Sequence, residues 1–339
     1  MSANMFKDKT ILITGGTGFL GRNLIRRILP LGPGSIRVYS RDENKHYNLQ
    51  KLFPGDEKIR SLIGDVRDFA RLCKACEGVD IVIHAAALKQ ISLIEYNIEE
   101  AIKTNILGTL NLVRAAQEQG VKRLVYVSTD KACSPANTYG ACKMVGERIV
   151  TESNYNKGKN PIVMTTVRYG NVLESTGSVI PFFREKITAG AEIPLTDKEM
   201  TRFMISADEA VDHIFKTLEC AIGGEIFVPK LNSFRITDLI EVVKAELKAT
   251  NPVKIIGARP GEKVHEILVS GSEMVYTYQF REMYIITSQI QSYQQLKNIP
   301  YIQKGTKVKT GNGKEYSSKD CLVSKDDLAK YLKTRLQHE

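Results

Sequence analysis

No stretch of this chain approaches the roughly 20 consecutive apolar residues that a membrane helix needs, and the opening MSANMFKDKT has no apolar run of the signal-peptide kind. The sequence therefore reads as that of a cytoplasmic protein without a membrane partner. Cysteine is sparse: six residues, of which Cys73 and Cys76 form a lone CxxC with no second pair at zinc-site spacing. That pattern predicts free thiols, no metal and no disulfide framework. The formal charge is +10, yet lysine and arginine are scattered, with no dense basic block interleaved with aromatics. This argues against a nucleic-acid partner and leaves a phosphorylated small molecule as the anionic counterpart. Internal repeats and low-complexity segments are missing too. What is present, 42% hydrophobic and 25% charged residues over 339 positions, suits a soluble globular chain with one large core or a core plus a smaller lobe.

The first half alternates strand and helix signals. TILIT (10–14), SIRVYS (35–40), IRSLIG (59–64), VDIVIHAAA (79–87) and KRLVYVST (122–129) are short apolar runs suited to buried parallel strands. Helical spacing covers 19–29 and 99–120, and a further helix starts near Tyr139. This order predicts an α/β fold, a doubly wound parallel sheet of the Rossmann kind. Beyond about residue 170 the pattern loosens: helices are expected over 208–220, 237–247 and near the C-terminus, and strands over 225–229 and 253–257. The expected division is a nucleotide-binding domain, 1–170, and a mixed substrate-binding region, 171–339, that partly extends the sheet. The basic, turn-rich 293–321 carries no motif that could be interpreted.

ITGGTGFLG places Gly15, Gly18 and Gly21 between the first strand and the first helix. Glycine there permits a tight turn and close approach of backbone to a pyrophosphate, which the helix N-terminus attracts. Thr17, Phe19 and Leu20 complete the loop. After the second strand come Ser40 and Arg41, ahead of Asp42 and Glu43. A guanidinium at this place suits a 2′-phosphate, so NADP is the expected cofactor. After the third strand, Asp65 and Val66 stand where a side chain could meet adenine; Asp65 could equally cap a helix.

Tyr139 and Lys143 are four residues apart and share a helix face. A phenol ionises near pH ~10, and an ammonium beside it lowers that value, so the pair can take a proton from an alcohol while hydride leaves the same carbon. Ser128 or Thr129, ending the preceding strand, can hold the substrate oxygen. The glycine loop, this YxxxK and the motifs HAAALKQ, TNILGT and RYGNV together resemble the extended short-chain dehydrogenase/reductases that act on nucleotide sugars.

Within that family, Asp130-Lys131, MTRF (200–203) and RPGEKVHE (259–266) resemble the inverting UDP-N-acetylglucosamine 4,6-dehydratases. The resemblance implies C4 oxidation with Tyr139, removal of the C5 proton by a neutral Lys131, donation to the departing 6-OH by a protonated Asp130, and return of hydride to C6. That chemistry requires Lys131 to titrate well below its usual ~10.4, through burial or a neighbouring cation such as Lys143, and Asp130 to titrate high. It further implies Ala85, Ala86 and Lys89 beside the cofactor, and Lys89, Asn171, Arg202, Arg259 and Glu262 around a UDP-sugar. A homo-oligomer, dimer or hexamer, is implied as well. The alternatives are a UDP-sugar 4-epimerase, a retaining dehydratase and a catalytically silent NADP(H)-binding protein; for Asp130 and Lys131 themselves, the alternative is a helix-capping or surface ion pair.

Overall fold

A computed structural model of the chain describes residues 3–173, 175, 178–290, 300–308 and 314–335; of the 293–321 segment, 293–299 and 309–313 lie outside it. Strands β1 (Thr10–Thr14), β2 (Ser35–Ser40), β3 (Ile59–Ile63), β4 (Ile81–His84), β5 (Arg123–Val127) and β6 (Val163–Val167) pair in parallel in the order 3-2-1-4-5-6. The strand Ile226–Pro229 adds to β6 in parallel, and Met283–Ile286, Thr277–Phe280 and Thr306–Lys307 follow antiparallel. The doubly wound α/β fold expected from the sequence is therefore the observed one.

The β1 sequence shows why its strand is central. Successive side chains point to opposite faces. Ile11 and Ile13 join Leu24, Ile25 and the helix Ala207–Cys220 on one side. Leu12 joins Tyr39, Leu72, Leu112 and Leu124 on the other. A further core, built from Leu173, Ile180, Phe183, Phe234 and Leu239, forms the lobe beyond the sheet. Between β1 and β4 the strand order reverses, and ligands of such sheets sit in the crevice at the carboxyl ends of the strands there.

Two expected elements differ in ways that matter for that crevice. The 79–87 strand is confined to Ile81–His84, because the chain leaves the sheet at Ala85 to form a loop over the crevice. The helix expected over 99–120 is interrupted: Ile98–Ala101 and Gly108–Glu118 are α-helical, and Ile102–Leu107 between them is π-helical. That wider turn sends Asn105 inward, where its side chain accepts from Leu88 N (2.8 Å) and donates to Leu88 O (2.9 Å). Apolar periodicity carries no signal for such a bulge, although bulges of this kind frequently mark functional sites.

Candidate active site

A single cleft of about 1510 Å³ runs from the glycine loop, past the ends of β4 and β5, to the lobe. At its first end, Gly15 has φ +68°, and a Cβ there would come within 2.8 Å of Ala86 N. Only glycine accommodates both conditions. Gly18 starts the helix Phe19–Ile28 with no side-chain cap, which leaves first-turn N–H groups for a ligand. Phe19, Leu20 and Gly21 form that turn and line the cleft. Thr17 Oγ1 lies 2.8 Å from Ser40 Oγ and ties the loop to the end of β2. The geometry fits a dinucleotide pyrophosphate.

Ser40, Arg41 and Val66 also line this end, as do Ala85, Ala86 and Lys89 on the loop after β4. Asp65 does not. Its Oδ2 is taken by the Arg67 guanidinium at 2.7 and 3.0 Å and its Oδ1 by Arg67 N at 2.9 Å. These contacts tie the Asp65 carboxylate to its own turn. Asp42 caps the helix Glu43–Leu52, accepting from Lys45 N at 3.1 Å.

At the centre, the helix Thr138–Glu152 carries Tyr139 and Lys143, and Asn137 caps it, accepting from Gly140 N at 2.8 Å. Both side chains line the cleft, together with Ser128, Thr129 and Lys131. Lys143 donates to Val127 O at 2.6 Å and lies 4.0 Å over the Tyr126 ring. Burial pulls its ammonium down to about 7. Tyr139, however, is pushed up to about 12 by burial; Lys131 and the Thr129 hydroxyl pull it the other way, and Asp130 adds to the rise. The sequence reading gave Lys143 the task of lowering Tyr139. Here the cation facing the phenol is Lys131.

Asp130 and Lys131 form the turn after β5, and neither is a surface charge. Asp130 is 0% exposed and does not itself line the cleft. Its Oδ1 accepts from Thr129 Oγ1 (2.8 Å) and Lys131 Nζ (3.0 Å), while Oδ2 is buried without a partner. Burial raises the Asp130 carboxyl, with Glu266 acting in the same sense and Lys131 opposing. Lys131 departs from expectation. Burial draws it down, but Asp130 and Glu266 outweigh that and raise it, so before substrate arrives it is an ammonium. Lys131 Nζ lies 3.5 Å from Glu266 Oε1, a contact that sequence reasoning missed although Glu266 ends the RPGEKVHE motif.

On the lobe side, Asn171, Arg202, Arg259 and Glu262 all face the cleft. Arg202, only 6% exposed, donates to Thr201 O at 2.8 Å and Val264 O at 3.1 Å and approaches Glu262 (3.5 Å) and Glu266 (3.7 Å). Asn171 Oδ1 and Glu262 Oε2 are buried with no hydrogen-bond partner. The 259–263 loop is fastened to the catalytic helix region: Asn137 Nδ2 donates to Gly261 O at 2.8 Å and Lys263 Nζ to Cys133 O at 2.7 Å. Among the described residues no group of His, Cys, Asp and Glu could hold a metal, and no helix is long and apolar enough to cross a membrane.

The family described as "Polysaccharide biosynthesis protein" matches residues 11–288. A Campylobacter jejuni protein named UDP-N-acetylglucosamine 4,6-dehydratase (inverting) is 43% identical, over 97% of this chain and 98% of its own. A UDP-glucose 4-epimerase of Rickettsia rickettsii is 38% identical over 83% of this chain and 84% of its own. The solved structure of Pen from Bacillus thuringiensis superposes with a TM-score of 0.89 at 37% identity, covering 97% of this chain and 98% of that one. The chain belongs to the polysaccharide biosynthesis protein family, a branch of the extended short-chain dehydrogenase/reductases.

Proposed function

We propose that the protein is an inverting UDP-N-acetylglucosamine 4,6-dehydratase, forming UDP-2-acetamido-2,6-dideoxy-β-L-arabino-hexos-4-ulose and water. One observation carries the reading: a fully buried Asp130 with an unpartnered Oδ2 lies 3.0 Å from a lysine that lines the cleft beside Tyr139. Simple proton abstraction from an alcohol needs only the tyrosine, lysine and hydroxyl. An elimination needs a further base and a further acid, and this pair supplies both.

Residues 1–170 would hold the cofactor, with the glycine loop at the pyrophosphate and Arg41 at a 2′-phosphate, so NADP is the preferred form. When bound, it accepts hydride from sugar C4 and returns it to C6. Tyr139 takes the O4 proton. Moving one proton from Lys131 Nζ to Asp130 across 3.0 Å turns the ion pair into the neutral pair. Expulsion of water by substrate favours that neutral form, since a low dielectric disfavours separated charges. The Lys131 amine then removes the C5 proton, which the C4 ketone has acidified. Asp130 is closed off from the cleft, so its proton reaches O6 through Thr129, whose Oγ1 is 2.8 Å from Oδ1. Water leaves as the C5–C6 double bond forms. C5 later regains a proton from solvent on its opposite face, and the proton Tyr139 took from O4 balances the one delivered to O6.

Residues 171–339 would hold the UDP-sugar, with Arg202 and Arg259 at the diphosphate. The reading also places the protein in the cytoplasm as a homo-oligomer, supported by Leu93 and Tyr96, 64% and 91% exposed side by side on one short helix. The test is product analysis after incubating the NADP⁺-loaded protein with UDP-N-acetylglucosamine in heavy water. Loss of one water with one deuterium at an inverted C5 is the expected result. A product of unchanged mass inverted at C4 would make the protein an epimerase, and retained C5 configuration would make it a retaining dehydratase.

A further inference from the structure

Glu266 has been given no role in the chemistry above. It precedes the strand Ile267–Val269, is 2% exposed, and its backbone is fixed at both ends: N donates to Ser318 Oγ and O accepts from Ser318 N, each at 2.9 Å. The carboxylate is held far less well. Oε1 stands 3.5 Å from Lys131 Nζ and 3.7 Å from Arg202 Nε, and Oε2 is buried with no hydrogen-bond partner. An unpartnered buried acceptor lowers stability, so stability does not account for this placement. Nor does Lys131 need Glu266 as an anchor, since Asp130 Oδ1 already accepts from it at 3.0 Å.

The charges are more informative. Asp130, Glu262 and Glu266 meet Lys131 and Arg202 in one group, with Lys263 near Glu266. Asp130 and Lys131 hold one proton between them, and the charges around the pair decide how firmly it is kept. Glu266 faces both cations, with Lys263 behind them, whereas Asp130 is paired with Lys131 alone. The groups facing Glu266 are therefore Asp130 and Lys131 from the turn after β5, Arg202 from the strand Thr201–Ile205, and Glu262 and Lys263 from its own loop. Its neighbour His265 turns to Thr201 Oγ1 at 2.9 Å.

We propose that Glu266 is a positioning residue whose negative charge, 3.5 Å from the Lys131 amine, keeps the shared proton on the Asp130–Lys131 pair, the one-proton form from which elimination proceeds. The inference rests on the dehydratase reading above. Its sign follows from electrostatics. A negative neighbour favours the protonated pair, so removing it lets the last proton go at lower pH. The alkaline limb of the kcat/KM profile belongs to that loss.

The experiment compares wild type with Glu266→Gln and Glu266→Asp, all loaded with NADP⁺. Water loss from UDP-N-acetylglucosamine is followed by mass across pH, and C4 oxidation by nicotinamide absorbance. In Glu266→Gln the alkaline limb is expected to move down by roughly one pH unit, a tenfold change in the pair's proton affinity, with C4 oxidation retained. Glu266→Asp, which keeps the charge but withdraws it by one methylene, is expected to show a smaller shift, and it carries the test should the Gln variant not fold. Carbon NMR titration of Asp130 and Lys131 in the same loaded proteins without substrate reports the pair directly. A uniform loss of rate with an unmoved limb, or an unchanged NMR titration, overturns the proposal and leaves Glu266 a structural residue. If wild type releases no water, the dehydratase reading falls, and the NMR titration alone decides the role of Glu266.

Discussion

Two buried charge clusters reach the helix Thr138–Glu152, and they are built to opposite standards. In the first, Arg168 uses all its donors: Nε and Nη2 to Glu147 (2.9 and 2.6 Å), Nη1 and Nη2 to Glu273 (2.9 and 2.8 Å), and Nη1 to Leu268 O (2.9 Å). Glu273 also accepts from Ser270 N at 3.0 Å, and no side-chain atom of the three lacks a partner. In the second, Asp130, Glu262 and Glu266 each leave one carboxylate oxygen buried and unpartnered. Fold and burial are shared, so the difference lies in completeness. A satisfied cluster braces the helix Thr138–Glu152 against the C-terminal region. An unsatisfied one leaves acceptors free at the cleft, which suits the proposed role in substrate chemistry.

The comparison breaks most sharply at Arg168. Arg168→Leu would leave Glu147 and Glu273 buried without a cation and is expected to lower stability by about 3–5 kcal/mol, read by chemical denaturation, with activity lost alongside the fold. Asp130→Asn tests the opposite case. It removes the proton donor of the proposed dehydration, so dehydration is expected to fall about 10²–10⁴-fold while stability holds or rises by about 0.5–2 kcal/mol. A large loss of stability in this variant would mean that the second cluster is a brace as well.

Acid should separate the clusters next. Arg168 and the bonds from Ser270 outweigh burial and hold the Glu273 carboxyl down at about 2. A depressed carboxyl contributes stability above its unfolded value, about 4.3, and loses it as pH falls toward the folded one. Stability is therefore expected to decline between about pH 4.3 and 2 by on the order of 2–3 kcal/mol, and Glu273→Gln should remove that part of the slope. Denaturation midpoints at a series of acid pH values give the measurement.

How much of this was legible in the sequence follows from where each signal resides. β1 and β2 match the expected TILIT and SIRVYS to the residue, because both carry β-branched or aromatic residues that fill the core, Ile11 and Ile13 in the one, Ile36, Val38 and Tyr39 in the other. The glycine loop was legible because Gly15 answers to a local backbone demand, φ +68°. Chemistry set by distant neighbours was not. The Lys131 ammonium is stabilised by Glu266, which is 135 positions away and arrives on a loop fastened through Asn137 and Lys263. Likewise, four-residue spacing placed Lys143 on the same helix face as Tyr139, but it could not show that the lysine would reach Val127 O and the Tyr126 ring. Asn105 stood within the motif TNILGT, but its inward turn was not legible because a π-helical turn leaves the apolar pattern around it unchanged.

Arg41 offers the finest test of whether an incomplete pair signals a missing ligand. Its Nη1 stands 3.6 Å from Asp65 Oδ2, its side chain is 49% exposed, and Asp65 is already satisfied by Arg67 at 2.7 Å. An exposed pair of this kind contributes only about 0–1 kcal/mol, so Arg41→Ala should scarcely change stability. The nearby acid that would otherwise favour a ribose hydroxyl, Asp42, is spent on capping the helix Glu43–Leu52. A 2′-phosphate would therefore compete for the Arg41 guanidinium only with the weak Asp65 contact. One charge-assisted hydrogen bond at an exposed site is worth about 1.5 kcal/mol, so NADP⁺ affinity should fall roughly tenfold in the variant, with NAD⁺ affinity held, when both are titrated by calorimetry. Equal losses for the two cofactors would mean that Arg41 serves the loop and not the phosphate, and that incompleteness points to a ligand only where burial makes an unpartnered group expensive.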